Sequence, residues 1–216
     1  MFARVPLPGA CKTRLAASVG PNAAAEVARA LLVRTLGLGG GRHCQLRFDP
    51  PAEQAGAATL APSGWSVEPQ CEGDLGARMA AAFDEAFRRG CERVALIGSD
   101  TVGLEQSILD RAFRSLRHHD VALGPAADGG YYLVGLRAPP RPGLFEAIPW
   151  STPSVLDQTL ARCRTLGLSV ELLERLADVD EVGDLRALAE ELSRSGRDPE
   201  LLAVCERALA GAQAAP

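Results

Sequence analysis

The run VALIGSD, residues 94–100, is a short apolar segment that ends in a carboxylate, Asp100. A run of this length, closed by a glycine and polar residues, is typical of a buried β-strand. The pattern Asp74–Arg89 precedes it, with an N-cap aspartate and one apolar helical face, and the helical pattern Glu105–Arg117 follows it. A buried strand between two helices predicts a crossover unit, in which consecutive strands run parallel and helices cover the sheet.

The same alternation extends over the whole chain. Other apolar runs predict strands at residues 44–48, 121–124, 131–136 and 169–173, with a short strand near residue 67. Further helical patterns occupy residues 21–36, 154–166, 182–193 and 199–211. We therefore expect one α/β domain over residues 1–216, with a mostly parallel central sheet. Its first strand is shortened, because the chain enters a Pro/Gly loop almost at once, and the Ala-rich end at 208–216 is expected to fray.

Composition narrows the function classes. The 216 residues are 47% hydrophobic and 23% charged, as in a soluble globular protein, and the net charge of -4 gives no basic surface for nucleic acid. No apolar run reaches the length of a membrane span, and the first residues lack a secretory signal, so we expect a cytoplasmic protein that binds no membrane. The six cysteines form no CxxC pair and are expected to be reduced. Oligomeric state is not determined by these features.

The segment PLPGACKTRL, residues 6–15, is the first that indicates chemistry. Its prolines, including Pro8, stiffen the loop, and Gly9 permits close approach of a ligand to the backbone. Lys12 and Arg14 add two cations, a combination that suits a diphosphate or triphosphate. The loop is not a Walker A motif, because Cys11 rather than glycine precedes the lysine. A surface turn with solvated charges is the alternative.

Carboxylates follow two of the apolar runs. Asp100 lies just past its strand, beside Ser99, at the sheet edge where α/β proteins bind ligands. An aspartate there suits Mg²⁺ or Mn²⁺, although it could also cap the next helix. Asp178 and Asp180 alternate along an extended segment and share one side, and we expect Asp180 to complete a metal site with Asp100. The alternative for the segment with Asp178 and Asp180 is a solvated acidic turn.

Three more segments contain candidate residues. In QCEGDLGARM, residues 70–79, Asp74 is expected to cap a helix and Arg78 to lie one turn further, near Gly73. The segment LGPAADGGYYL, residues 123–133, places Asp128 between two apolar strands, where a simple turn is also possible. The third segment is IPWST, residues 148–152.

These segments, in this order, resemble those of a GT-A-like bacterial transferase family, labelled as radical-SAM/selenodomain-associated or arsenosugar-biosynthesis glycosyltransferases. The Lys-Thr-Arg-Leu element is also similar to that of the related 2-phospholactate guanylyltransferases. The resemblance spans residues 2–185 and implies the three-layer nucleotide-diphospho-sugar transferase fold, a nucleotide-type donor and a divalent metal. This chain departs from the family pattern at Arg4, Val102 and Glu181, where lysine, proline and threonine are usual.

The resemblance also implies roles for individual residues. Asp128 would be the functional carboxylate, able to orient or deprotonate an acceptor hydroxyl. The nucleotide and its donor group would be bound by Lys12, Arg14, Ser99 and the segment 73–78, with Lys12 and Arg14 acting on the leaving phosphates. Gly129, Gly130, Tyr131 and Trp150 would border donor and acceptor, although both aromatic residues suit a core position equally well.

Three functions remain open at the level of sequence. A glycosyltransferase would use a nucleoside diphosphate sugar and a small-molecule acceptor, with the metal and the cations neutralising the leaving diphosphate. A nucleotidyltransferase would join a nucleoside triphosphate to a small phosphate or phosphonate. A nucleotide-binding relative without turnover is the third. We expect the first.

Overall fold

The computed structural model describes residues 1–213, in which short strands alternate with helices. The strands are β1 (Phe2–Arg4), β2 (Gln45–Asp49), β3 (Ser66–Pro69), β4 (Val94–Ile97), β5 (Thr101–Val102), β6 (Val121–Pro125), β7 (Tyr131–Leu136), β8 (Val170–Leu172) and β9 (Ala177–Asp178). The helices are α1 (Thr13–Val19), α2 (Pro21–Leu36), α3 (Gln54–Leu60), α4 (Leu75–Arg88), α5 (Gln106–Ser115), α6 (Val155–Thr165), α7 (Val182–Ser195) and α8 (Pro199–Gln213).

The strands form two main sheets and one small ribbon. Strands β1, β2 and β3 are joined in that order and run parallel. The second sheet has the order β4-β7-β6-β8, in which β6 and β8 are parallel and β7 is antiparallel to both of its neighbours. Because only residues 126–130 connect β6 to β7, that connection is too short for a parallel crossover. The ribbon pairs β5 with β9.

Helices cover both faces of the sheets, which gives the expected three layers. Successive residues of β6 point to opposite faces: Leu123 packs in one core cluster with Phe83 of α4, and Ala122 packs in another with Leu109 of α5. Helix α2 covers the first sheet, where Leu36 lies in a cluster with Phe48 of β2. A fourth cluster joins α1, α2, α7 and α8.

Most elements lie within two residues of their expected bounds. The sequence patterns missed α1, α3 and the β5–β9 ribbon, all of which are short. The segment expected to fray is instead helical through Gln213, since Ala208 is buried against the α1–α2–α7–α8 cluster, and residues 214–216 lie outside the described part of the chain. Over residues 1–213, no helix combines the length and the apolar character that crossing a bilayer requires.

Candidate functional site

The N-terminal loop leads directly from β1 to the start of α1. Gly9 has a positive φ of 79°, and the backbone N–H of Ala10 donates to the carbonyl of Leu7, so the loop turns tightly. Lys12 immediately precedes α1 and also has a left-handed backbone, with φ 46° and ψ 47°. Fully buried Leu15 anchors the new helix in the core. This geometry sends the Lys12 side chain inward.

The ammonium of Lys12 lies between two of the predicted site carboxylates. Its Nζ is 2.8 Å from Asp100 Oδ2 and 3.3 Å from Asp180 Oδ1. The Lys12 side chain is only 3% exposed, whereas those of Asp100 and Asp180 are 51% and 48% exposed. Burial lowers the pKa of Lys12, but the two carboxylates outweigh it and hold that pKa above its usual value. The lysine is therefore charged at neutral pH.

The β5–β9 ribbon brings the two carboxylates together. Asp100 follows β4, and its Oδ1 accepts a 2.8 Å hydrogen bond from the buried Ser99 hydroxyl. Thr101, the first residue of β5, pairs with Asp178 of β9, and its hydroxyl donates to Asp178 Oδ1 at 2.7 Å. Asp180 lies two residues after Asp178, so the pairing of β5 with β9 places Asp180 near Asp100, beyond the end of β4. Sequence patterns did not identify Thr101, because a two-residue strand has no periodicity to read.

Asp128 lies on the β6–β7 loop near the same acidic cluster. The Gly130 N–H donates to its Oδ1 at 2.8 Å, and the side chain is exposed. Burial raises the pKa of the Asp178 carboxyl, and the charges of Asp128 and Asp100 raise it further, against the opposing Thr101 hydrogen bond. The expected acceptor-side carboxylate is thus within electrostatic range of the ribbon.

Arg14 does not join this arrangement. It lies two positions beyond Lys12, in the first turn of α1, is exposed and forms no ion pair within residues 1–213. Lys12 lies before α1 with a left-handed backbone and a buried side chain, whereas Arg14 lies on the exposed side of the helix, so the two cations of the loop separate. The sequence analysis did not predict this separation because it did not predict α1.

The segment 73–78 lies at the ends of the first three strands. Asp74 caps α4 as expected, accepting from the Ala77 N–H at 2.8 Å. Arg78 donates to the Gly73 carbonyl at 2.9 Å, and its Nη1 lies 3.9 Å from Asp49 Oδ2. Arg4, at the end of β1, reaches the same Asp49 oxygen at 3.4 Å. Asp49 was not singled out from the sequence, although it ends its apolar strand much as Asp100 follows β4.

Both candidate aromatic residues pack into the core. The rings of Tyr131 and Trp150 lie against the core cluster that contains Phe83 of α4 and Leu123 of β6, and burial raises the pKa of the Tyr131 phenol. Trp150 sits against Gly76 of α4, where a β-carbon would lie 2.9 Å from the indole ring. Gly129 has φ 91°, and a β-carbon there would lie 2.2 Å from the Pro153 carbonyl oxygen, so only glycine fits beside Asp128.

The donor set fits a metal that is shared with a substrate. Within residues 1–213, no group of three or more carboxylate, histidine or cysteine side chains is arranged as a metal cage. Asp100 and Asp180 converge on the Lys12 ammonium, each with about half of its side chain facing solvent. Mg²⁺ is commonly held by one or two carboxylates together with substrate phosphates and water, and this pair offers that half-site.

Comparison with known proteins identifies the family and the fold. The sequence profile of DUF2064, described as "Uncharacterized protein conserved in bacteria", matches residues 32–152. Among curated proteins, no sequence is significantly similar to this chain. A crystal structure from Desulfovibrio desulfuricans G20, whose name assigns it provisionally to the nucleotide-diphospho-sugar transferases, is 32% identical, with a TM-score of 0.87 over 98% of this chain and 95% of that one.

More distant structures share the fold only. The inositol-1-phosphate CTP transferase of T. maritima is 13% identical, with a TM-score of 0.55 over 92% of this chain and 96% of that chain. A CMP:2-keto-3-deoxy-manno-octonic acid synthetase in complex with CTP is also 13% identical, with a TM-score of 0.51 over 90% and 97% of the two chains. The chain therefore has the GT-A-like nucleotide-diphospho-sugar transferase fold.

Proposed function

We propose that this chain, which belongs to the DUF2064 family of bacterial proteins, is a metal-dependent glycosyltransferase that uses a nucleoside diphosphate sugar donor and a small-molecule acceptor. The convergence of Lys12, Asp100 and Asp180 at the end of β4 is the observation that carries this proposal. The name of the 32% identical D. desulfuricans protein supports it. The arsenosugar or radical-SAM-associated label, the extent of one domain over residues 1–216 and a cytoplasmic location belong to the same proposal.

The chemistry assigned to the site separates charge neutralisation from acceptor activation. A Mg²⁺ or Mn²⁺ ion held by Asp100 and Asp180 would neutralise the charge that develops on the leaving diphosphate. Lys12 would bind the phosphate oxygens, with Arg14 available at the start of α1 for the outer phosphate. Asp128, on the neighbouring loop, would orient the acceptor hydroxyl and accept its proton.

The other assigned residues would hold the rest of the donor and the acceptor. Pro8 and Gly9 keep the loop close to the phosphates, while Gly73, Asp74 and Arg78 would contact the nucleoside end. Ser99 fixes the orientation of the Asp100 carboxylate through its 2.8 Å hydrogen bond. The Gly129–Tyr131 segment and Trp150 would shape the acceptor side, mostly through packing.

Nucleotidyl transfer is the second candidate. The two distant fold relatives named above carry names of enzymes that act with CTP, and a Lys-containing loop also suits a triphosphate. In that case the same cations would bind the triphosphate while a substrate phosphate attacks the α-phosphorus.

The released product distinguishes these functions. Purified protein is incubated with MgCl₂ or MnCl₂ and with UDP-, GDP- and ADP-sugars or the four nucleoside triphosphates, and released phosphate species are measured. Nucleoside diphosphate from a sugar donor, with water in place of the acceptor, supports glycosyl transfer. Pyrophosphate from CTP or GTP with a sugar phosphate or phosphonate supports nucleotidyl transfer instead.

Two variants link that product to the site. Asp100→Asn should abolish the metal-dependent reaction without unfolding the chain, because its side chain is half exposed. Asp84→Asn, on the exposed side of α4, is the matched control and should retain activity. Full turnover in Asp100→Asn would refute the site, and nucleotide binding without turnover of any donor would favour a non-catalytic relative.

A further inference from the structure

The Lys12 ammonium forms ion pairs with two carboxylates and is not open to a phosphate. Its ammonium is almost fully buried beneath Asp100 and Asp180, whose outer faces are open to solvent. A cation in this position already offsets half of the negative charge of the two side chains that would hold a metal. Because its side chain is only 3% exposed, Lys12 offers donor phosphates little access while it makes both ion pairs, and a divalent ion cannot take the same position between the carboxylates.

Lysine and arginine differ in ways that matter for this position. Lys12 is the single lysine among 23 lysine and arginine residues, so every other cationic side chain of this type is arginine. A guanidinium is a wide planar group with a fixed fork of donors, whereas an ammonium is a compact point charge on a flexible stem. Of the two, only the ammonium resembles a metal ion in size and can leave the site without breaking a planar, bidentate contact.

The backbone at Lys12 is also unusual. It is one of four non-glycine residues with positive φ within residues 1–213. Such a conformation is disfavoured for residues with a side chain, and it persists where surrounding contacts enforce it. The Lys12 carbonyl accepts from the Ala16 N–H at 2.7 Å and the side chain makes its two ion pairs, so contacts at both ends of the residue support this backbone.

We propose that Lys12 is an internal substitute for the metal, which a divalent ion displaces from Asp100 and Asp180 and thereby releases to bind the donor phosphates. This inference rests on the proposed function, which supplies the metal and the phosphate ligand. It makes the two binding events mutually dependent: the metal frees the lysine, and the phosphate, by binding the lysine, leaves the carboxylates to the metal. Thermodynamic linkage requires that each ligand then strengthens the other equally.

Removing the lysine tests the competition directly. Binding of MnCl₂ to nucleotide-free protein is measured by calorimetry for the wild type, Lys12→Met and Arg4→Met. Arg4→Met removes the same charge from the adjacent end of β1, where Arg4 contacts Asp49 and not the two site carboxylates. We expect Lys12→Met to bind Mn²⁺ at least ~10-fold more tightly than the wild type, a difference in binding free energy of about 1.4 kcal/mol. Arg4→Met should differ less than ~3-fold.

Pyrophosphate serves as the probe for the released lysine. In the wild type, Mn²⁺ should strengthen pyrophosphate binding, and Lys12→Met should lose most of this gain although it binds the metal better. Equal or weaker Mn²⁺ binding by Lys12→Met would overturn the exchange. If the variant and the wild type both fail to bind Mn²⁺ even in the presence of pyrophosphate, the exchange and the proposed function both fail. If Lys12→Met binds Mn²⁺ more tightly but no donor is turned over by the wild type, only the proposed function fails.

A second measurement needs no substitution and therefore does not depend on how a variant folds. Biosynthetic labelling with ¹³Cε-lysine gives one side-chain signal, because Lys12 is the single lysine of the sequence, and it leaves the amine unmodified. Addition of MgCl₂ should shift the Lys12 signal toward that of a solvated ammonium. An unchanged signal while calorimetry shows Mg²⁺ binding would refute the displacement.

Discussion

Replacing Thr101 with valine should weaken the metal site without touching a proposed ligand. Thr101 is 4% exposed, and its hydroxyl donates at 2.7 Å to Asp178, in the ribbon that joins the segments carrying Asp100 and Asp180. Valine has nearly the same shape but cannot donate, so the half-buried Asp178 carboxylate loses its partner. A hydrogen bond to a charged group contributes about 1.5–3 kcal/mol, and we expect a loss of about 2 kcal/mol in the free energy of unfolding.

For a chain of this size, that loss corresponds to a decrease of about 4–8 °C in Tm. Mutating groups that orient metal ligands typically costs about 10–100-fold in metal affinity, so Mn²⁺ affinity should fall at least ~10-fold. Both quantities are measured on the same preparations, by thermal unfolding and by calorimetric titration with MnCl₂. Asp178→Asn, whose amide oxygen can still accept from Thr101, should lose less affinity than Thr101→Val.

The matched control is Thr35→Val in α2. Thr35 is equally buried, and its hydroxyl donates to the Leu31 carbonyl of its own helix. It should lose less stability, and its Mn²⁺ affinity should equal that of the wild type. If Thr101→Val is destabilised but binds Mn²⁺ as well as the wild type and Thr35→Val, then Thr101 supports only the fold and the positioning argument is refuted.

Two further substitutions test the β6–β7 loop, at Gly129, and the start of β6, at Asp120. In Gly129→Ala, the new β-carbon would lie 2.2 Å from the Pro153 carbonyl oxygen, at a residue whose φ is 91°. We expect this variant to lose more than ~2 kcal/mol in the free energy of unfolding and most of its activity. Gly143→Ala is the control, because Gly143 has a φ of 87° but open space around it, and it should lose only about 1 kcal/mol in the free energy of unfolding, measured by thermal unfolding. Equal losses in the two variants would contradict the clash with Pro153. Hydrogen bonds from Ser169 lower the pKa of Asp120 from 3.8 to about 2, so its stabilisation is complete above pH 3.8 and is lost as the pH falls toward 2. Asp120→Asn should therefore be less stable by about 1 kcal/mol at pH 6, since the carboxylate is partly solvated, and the difference should vanish near pH 2; a pH-independent difference would refute this assignment.

The sequence predicted elements best where the pattern is long and local. Helix α4 could be placed from one apolar face and the Asp74 cap, and β7 from a continuous apolar run closed by glycine at one end. These patterns did not predict the direction of β7, nor that the strands divide into one sheet of β1–β3 and a second sheet of β4, β6, β7 and β8. Strand direction depends on how the intervening segment crosses the sheet, and here residues 126–130 form a loop too short for a crossover.

The candidate site also depends partly on local sequence and partly on tertiary structure. By itself the sequence determined which groups are available and where on an element each one lies: Asp100 at a strand tip, Lys12 in a stiff loop, Asp180 after a late extended segment. Only the tertiary structure decided that Lys12 inserts between carboxylates 88 and 168 positions away, and that Arg14 turns outward on α1. The physical reason is that periodicity and capping depend on neighbours within a few residues. A contact such as Thr101–Asp178, by contrast, exists only because separate strands pack at one edge of the sheet.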